Sequence, residues 1–291
     1  MLTRVDHVMI CVPDLAAGID AYRRLGFEVD AGGDHPGRGT HNALAVNEHD
    51  YLELLGVRDR AEYLRASPGG ALLTFLERGG GMRFVAVQSD DLAADVAAMR
   101  ARGVDVSGPV EGARRTPGGT ELRWKAATLG ARSALPIFFV EHLTPPAKRR
   151  RQFGRTHDHP NGVTRLDRVY VAVPDVAAAV EQYSTVLGQP TPDLQRGTVI
   201  NADMAVFQLG ETGLAVAQPA GSGPAGEMLA RRGPGPFQAL YRTRSMAGAV
   251  RWMTDHHLPP PARGTRNTGE SALLVPPDQA CGVYLAFVGP A

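Results

Sequence analysis

Apolar residues alternate along the first dozen positions. Val8, Ile10 and Val12 fall on one face of an extended chain, and Val5, His7, Met9 and Cys11 on the other. That period of two predicts a strand buried on both sides. Pro13 stops it, and Asp14 is placed to cap a helix, its carboxylate accepting the orphan N–H groups of the first turn. The spacing then lengthens: Leu15, Ile19 and Tyr22 predict a helix closing at Gly26. Three short strands are expected next, near 27–30, 41–46 and 50–56.

The same order returns along the chain. A strand over 84–88 precedes Asp91 as a cap, a helix carrying Leu92, Val96 and Met99, and strands near 122–128 and 136–141. Another unit opens over 166–173, with strands at 204–209 and 213–217. The last opens over 237–242, with a Ser245-capped helix containing Val250 and Met253 and a closing strand over 282–288. Extra helical segments are predicted at 61–64 and 71–78. Arg4–Gly26 and Arg165–Gly188 share Arg4/Arg165, Asp6/Asp167, Val12/Val173, Pro13/Pro174, Asp14/Asp175, Tyr22/Tyr183 and Gly26/Gly188, whereas His7 becomes Arg168. One structural unit is therefore used twice. The expected fold is α+β: four βαβββ modules in two pairs, each pair forming a curved sheet around a cavity. We expect an N-terminal domain over 1–143 with the candidate active site, a linker over 144–164, and a C-terminal domain over 165–291 without metal ligands.

Composition removes several classes of function. With 31 Lys and Arg against 30 Asp and Glu, the net charge of +1 gives no field to draw the chain to nucleic acid or a membrane surface. No run approaches the ~18 apolar residues that would span a bilayer, and a cytoplasmic location is expected. The two cysteines, Cys11 and Cys281, sit in apolar runs and read as buried reduced thiols. Lys148–Arg151, after two prolines, reads as a solvated linker, with a docking or anion-binding patch as the alternative. His157-Asp158-His159 reads as solvated or a turn, and His256-His257 as a helix C-terminus.

A few polar residues are out of place in this apolar pattern. Glu53 lies within the YLELL strand, where a buried carboxylate needs a cation, a metal or a proton; Arg123 or Arg38 could supply the charge. The stretch 32–42 is too polar for a core. His35, Thr40 and Asn42 offer donors and acceptors beside the cavity, and Gly39 permits close backbone approach to a substrate; a tight hairpin is the alternative. Arg123 and Trp124 point to opposite faces of one strand. Arg123 toward the cavity would favour an anionic substrate, Trp124 an aromatic or apolar one.

The opening DHV-x-x-x-VPD-L at Asp6–Leu15, the helix end at Tyr22–Gly26 and the YLEL strand at Tyr51–Leu54 resemble the vicinal oxygen chelate superfamily of glyoxalase, bleomycin-resistance and dioxygenase proteins. GGDHPGRGTHNAL (Gly32–Leu44), ELRW (Glu121–Trp124), LPIFFVE (Leu135–Glu141) and HPNG (His159–Gly162) are similar to its bacterial glyoxalase-like domain subgroup. The resemblance implies metal ligands on the first and last strands of paired modules, which fall here on His7, Glu53 and Glu141, with Phe84 at the remaining first-strand position. One nitrogen and two oxygens would suit iron, manganese, nickel, cobalt or zinc, with Glu141 also carrying a proton. The implied function is a divalent-metal-dependent lyase, isomerase or dioxygenase acting on a small oxygen-rich metabolite. The alternative is a metal-free protein that sequesters a small molecule, and a homodimer is left open.

Overall fold

The computed structural model describes residues 1–116, 118–151 and 158–290. Its N-terminal half runs β1 (Leu2–Cys11), α1 (Leu15–Arg24), β2 (Asp30–His35), β3 (Thr40–Val46), β4 (Tyr51–Val57), α2 (Arg60–Ala66), α3 (Ala71–Glu77), β5 (Gly81–Ser89), α4 (Leu92–Ala101), β6 (Val106–Arg115), β7 (Glu121–Leu129) and β8 (Ile137–His142). After α5 (Pro146–Arg151) the order recurs as β9 (Val163–Ala172), α6 (Val176–Leu187), β10 (Gln195–Gly197), β11 (Ala202–Leu209), β12 (Thr212–Pro219), α7 (Pro224–Arg232), β13 (Gly235–Thr243), α8 (Met246–Asp255), β14 (Ala262–Thr265), β15 (Ser271–Val275) and β16 (Tyr284–Val288). Each half is one eight-stranded sheet, in the orders β2-β3-β4-β1-β5-β8-β7-β6 and β10-β11-β12-β9-β13-β16-β15-β14. The α+β architecture of duplicated modules is the one expected from the repeat.

Local chemistry explains the element ends. Asp14 accepts from Ala16 N at 2.8 Å and Ala17 N at 3.1 Å, starting α1 two residues after Pro13. Asp91, Asp175 and Ser245 cap α4, α6 and α8 in the same way. Replacing Asp14 by Ala leaves those N–H groups without the carboxylate, and we expect a loss of about 1 kcal/mol, read as a lower urea midpoint with unchanged slope.

The helix-bearing sides of the two sheets share a single core. Val8, Ile10, Leu52, Leu54, Val85 and Phe139 pack in one cluster with Val169, Leu214, Tyr241 and Phe287. Polar ties cross the same junction: Val5 N–H donates to Thr212 Oγ1 at 2.7 Å, and Leu166 N–H to Asp50 Oδ2 at 3.0 Å. The opposite, concave faces are partly filled from within. Tyr63, Leu72, Leu73 and Leu76 of α2 and α3 cover Cys11 and Leu55. Ala225 and Met228 of α7 cover Tyr170, Phe237 and Tyr284.

Several expectations need correction. Phe27 and Val29 are buried core outside any strand, and β2 begins at Asp30, so the polar 32–42 stretch is the β2–β3 hairpin. The strands β6, β10 and β14 and the helix α7 had no alternating or helical signal strong enough to read. His159 is buried and not solvated: its Nδ1 accepts from Glu28 N–H at 3.0 Å, and its ring packs on Phe27. His157 lies outside the described residues. No described helix is long and apolar enough to cross a membrane.

Candidate functional site

The N-terminal site is built on a fault in β1. In the pairing with β5, Val5 faces Val87 and His7 faces Ala86, so the register shifts and Asp6 is the extra residue. Such a bulge re-aims side chains. It lets Val5 join Val8 and Ile10 in the shared core, whereas strict alternation would send it to the cavity with His7. It also carries Asp6 into line with its neighbour's imidazole. Asp6 Oδ2 lies 2.8 Å from His7 Nδ1, and its Oδ1 lies 2.8 Å from Nε2 of His142, at the end of β8.

Parallel pairing then brings in the second candidate. Met9 of β1 stands opposite Glu53 of β4, which sets Glu53 on the concave face diagonally from His7. His7 Nε2 lies 3.4 Å from Glu53 Oε2. Asn42 of β3 donates through Nδ2 to Glu53 Oε1 at 2.6 Å. His7 and Glu53 are only 4% and 6% exposed, so their interaction is little screened by solvent. The imidazole is also held in plane: Tyr51 stacks on it with ring centroids 4.3 Å apart, and Phe138 meets it edge-on at 5.5 Å.

Electrostatics order these groups. Burial alone would raise the Asp6 carboxyl, but the imidazoles of His142 and His7 outweigh it and hold the group well below the usual carboxylate range. Asp6 is therefore a carboxylate that can only accept, which places a proton on His7 Nδ1 and leaves Nε2 facing Glu53. Burial lowers His35, opposed by the Glu53 charge and assisted by Arg114 and Arg38; its Nδ1 lies 2.8 Å from Thr40 Oγ1. Arg114 of β6 reaches across the open edge of the sheet to donate to Gly32 O on β2; burial lowers its guanidinium, opposed by the nearby Tyr51 and Glu53. The half-buried Tyr51, His35 and Arg114 form the rim of the site.

The profile of the glyoxalase-like domain family matches residues 5–187 of the chain. That is well over half its length. The chain belongs to the glyoxalase-like domain family, within the vicinal oxygen chelate superfamily. Solved structures agree on the fold. A hypothetical protein from Staphylococcus aureus is 13% identical, with all of both chains covered and a TM-score of 0.69. A variant of 4-hydroxymandelate synthase from Streptomyces coelicolor is 16% identical, covering 100% of this chain and 93% of that one at a TM-score of 0.67. A fusion of a xylose isomerase-like TIM barrel with 4-hydroxyphenylpyruvate dioxygenase is 14% identical, covering 99% of this chain and 49% of that one at a TM-score of 0.59. No curated protein matches.

In this glyoxalase-like chain the three residues named as metal ligands do not all meet. His7 and Glu53 do. Glu141 is turned to the helix-bearing face, where Oε2 accepts from Leu92 N–H at 2.9 Å at the start of α4 and Oε1 pairs with Lys125 at 3.1 Å. It shares that face with Phe139 of the core, while the adjacent His142 takes the concave side, so its expected roles as ligand and proton carrier are corrected to a helix-capping one. Phe84 packs edge-on against Phe138. Among the described residues no group of three or more His, Cys, Asp or Glu side chains is placed to hold one ion.

The substrate-binding candidates divide likewise. Asn42, His35 and Thr40 lie at the site, as given above. Gly39 does not offer its backbone to a ligand: with φ +65°, it lies so close to α2 that a Cβ would stand 2.3 Å from Tyr63 N and 2.4 Å from Asp59 O. Arg123 is exposed and paired with Glu111 at 2.7 Å, on the face shared with Lys125. Trp124 is paired with His142 in the β7–β8 register and so lies on the concave face. Asp6, His142, Tyr51 and Arg114 escaped the sequence reading. Only the Asp6/Asp167 identity in the repeat hinted at the first.

Proposed function

We propose that this glyoxalase-like protein is an enzyme that moves a proton on a small, oxygen-rich, anionic metabolite, as a lyase or isomerase. The observation that carries the reading is the buried line Asp6–His7–Glu53, with contacts of 2.8 and 3.4 Å. The ionised Asp6 fixes the tautomer and would stabilise an imidazolium, so Nε2 of His7 is the basic atom. A C–H next to a carbonyl, brought up to Nε2 from the concave side, would give its proton to Nε2, its electron pair passing to the carbonyl oxygen as an enolate. Arg114, reaching from the rim, supplies charge for that oxygen or for a carboxylate of the substrate. Return of the proton to the same or a neighbouring carbon completes an isomerisation, and departure of a β-substituent completes an elimination.

A metal-dependent form of the same reading is favoured by one distance. Two ligands of a tetrahedral ion, each about 2.1 Å from it, stand roughly 3.4 Å apart, the separation of His7 Nε2 and Glu53 Oε2. Asp6 would then be the carboxylate that orients a ligating histidine. An ion there would act as a Lewis acid toward adjacent substrate oxygens. With two protein donors where catalytic sites commonly have three, the set fits a weakly held ion better than a resident one, and the proton path above needs none.

The test is proton exchange. Incubating the protein in D2O with a panel of 2-oxo and 2-hydroxy carboxylates should place deuterium on the substrate carbon, seen by NMR, and the exchange should survive chelation. Loss of exchange after chelation, with about one divalent ion per chain in protein purified without a metal-affinity tag, would establish the metal-dependent form. Tight binding of a compound with no exchange in any member would overturn the enzyme reading in favour of sequestration.

A further inference from the structure

A second charged recess lies where the two halves meet, away from His7 and Glu53. It has a volume of about 160 Å³ and is bordered by Arg78, Arg83, Phe75 and Thr74 from one half and Arg232 from the other. Among the described residues no acidic side chain lines it. Arg232 ends α7 and projects between two glycines. A Cβ at Gly81 would stand 1.7 Å from its Nη1, and one at Gly282 would stand 2.1 Å from its Nη2. Both of those nitrogens are buried without a hydrogen-bond partner among the described residues. The guanidinium also lies over the ring of Phe75, 6.0 Å from its centroid, a ring that Arg83 covers at 5.1 Å. Burial and the neighbouring Arg231 push the Arg232 guanidinium down to about 10, so it is still a cation at neutral pH.

Buried arginines ordinarily meet a carboxylate or a carbonyl. Here two glycines make room for a guanidinium whose Nη atoms have no such partner among the described residues, and two further arginines border the same small space. Like charges held together without a counter-charge repel, and burial strengthens the repulsion. A planar fork of donors is matched by two oxygens of one oxyanion. We propose that this recess binds a small oxyanion, a phosphate or carboxylate group, held by the charges of Arg232, Arg83 and Arg78 that line it. The volume, against about 30 Å³ for a water in the liquid, admits such a group with a few further atoms. Because Arg83 lies on β5 and Arg232 on α7, the bound anion ties the two halves together.

Thermal unfolding of the full chain tests the site, with sodium phosphate and sodium acetate titrated against sodium chloride at matched ionic strength. The wild type should gain several degrees in Tm, saturating with phosphate, acetate or both, beyond the chloride control; whichever arm responds names the group. Arg232→Leu should melt higher than the wild type in chloride, because it removes an unpartnered charge, and should lose the anion response. Arg83→Gln, which leaves Arg232 in place, should weaken the apparent anion affinity at least tenfold. If neither anion exceeds chloride in the wild type, or if Arg83→Gln and Arg232→Leu respond as the wild type does, the proposal is wrong. The proton-exchange experiment is indifferent to either result.

Discussion

Asp6→Asn is expected to slow proton exchange on the substrate by 10² to 10⁴-fold, roughly the range of a positioned acid–base group, while the fold survives. The carboxylate accepts from two imidazoles at once, at 2.8 Å each. An amide of the same shape has one accepting oxygen and an NH2 that can only donate. If the NH2 faces His7, the proton on Nδ1 is displaced to Nε2, and the base is lost. If it faces His142, the tautomer survives but the imidazolium formed during turnover loses the Asp6 counter-charge. Either arrangement lowers kcat more than it raises KM, since Asp6 acts through His7. His7→Gln should cost about as much, and the double variant little more than either alone, as for groups acting as a unit. A rate for Asp6→Asn within a few-fold of wild type would remove the relay from the mechanism.

Asp50→Asn should stabilise the protein by roughly 1–3 kcal/mol at pH 8 and by little at pH 4. Asp50 is buried at the junction of the two sheets, accepting from Leu166 N–H at 3.0 Å and Asn47 Nδ2 at 2.6 Å. Burial dominates and pushes its carboxyl up from 3.8 to about 6, against those two hydrogen bonds and with some help from the Asp6 charge. The folded protein therefore holds a proton that the unfolded chain releases more readily. Stability from this group is complete below about pH 3.8, falls as pH rises, and levels off above about pH 6 with a total cost of roughly 3 kcal/mol. An amide carries no charge to desolvate. Its oxygen can keep the Leu166 bond, and its NH2 can reach Asn47 Oδ1, which is buried without a partner, once the Asn47 side chain turns over. Urea unfolding of both proteins from pH 4 to pH 8 reads the difference directly. Parallel curves across that range would mean that Asp50 is ionised at no cost.

The candidate site was legible where alternation held and illegible where it failed. Glu53 sits inside a regular strand and His7 just past the bulge, in step with Met9 and Cys11, so counting by twos placed both on the concave face. Glu141 falls where a short strand ends, and counting from Phe139 puts it on the helix side and His142 in the cavity. Asp6 is the extra residue of a bulge, which no periodicity announces because the bulge answers the partner strand's register. Arg114 reaches the site across a closure between the first and last strands of its sheet, 82 residues apart in sequence.

Two copies of one pattern were enough to determine that the chain makes paired βαβββ modules, because strand and helix periods, caps and the repeat are local and each is enforced by burial of its own apolar face. The same letters put a histidine in the first copy and an arginine in the second, and so marked which sheet carries basic nitrogen on its concave face. Tertiary structure alone decided that the helix-bearing faces fuse into one core, that Asp6 rather than Glu141 accompanies His7, and that arginines from the two halves converge on an uncompensated recess. Those outcomes depend on strand register and on sheet curvature, which bring together groups far apart along the chain and leave no trace in the spacing of any one segment.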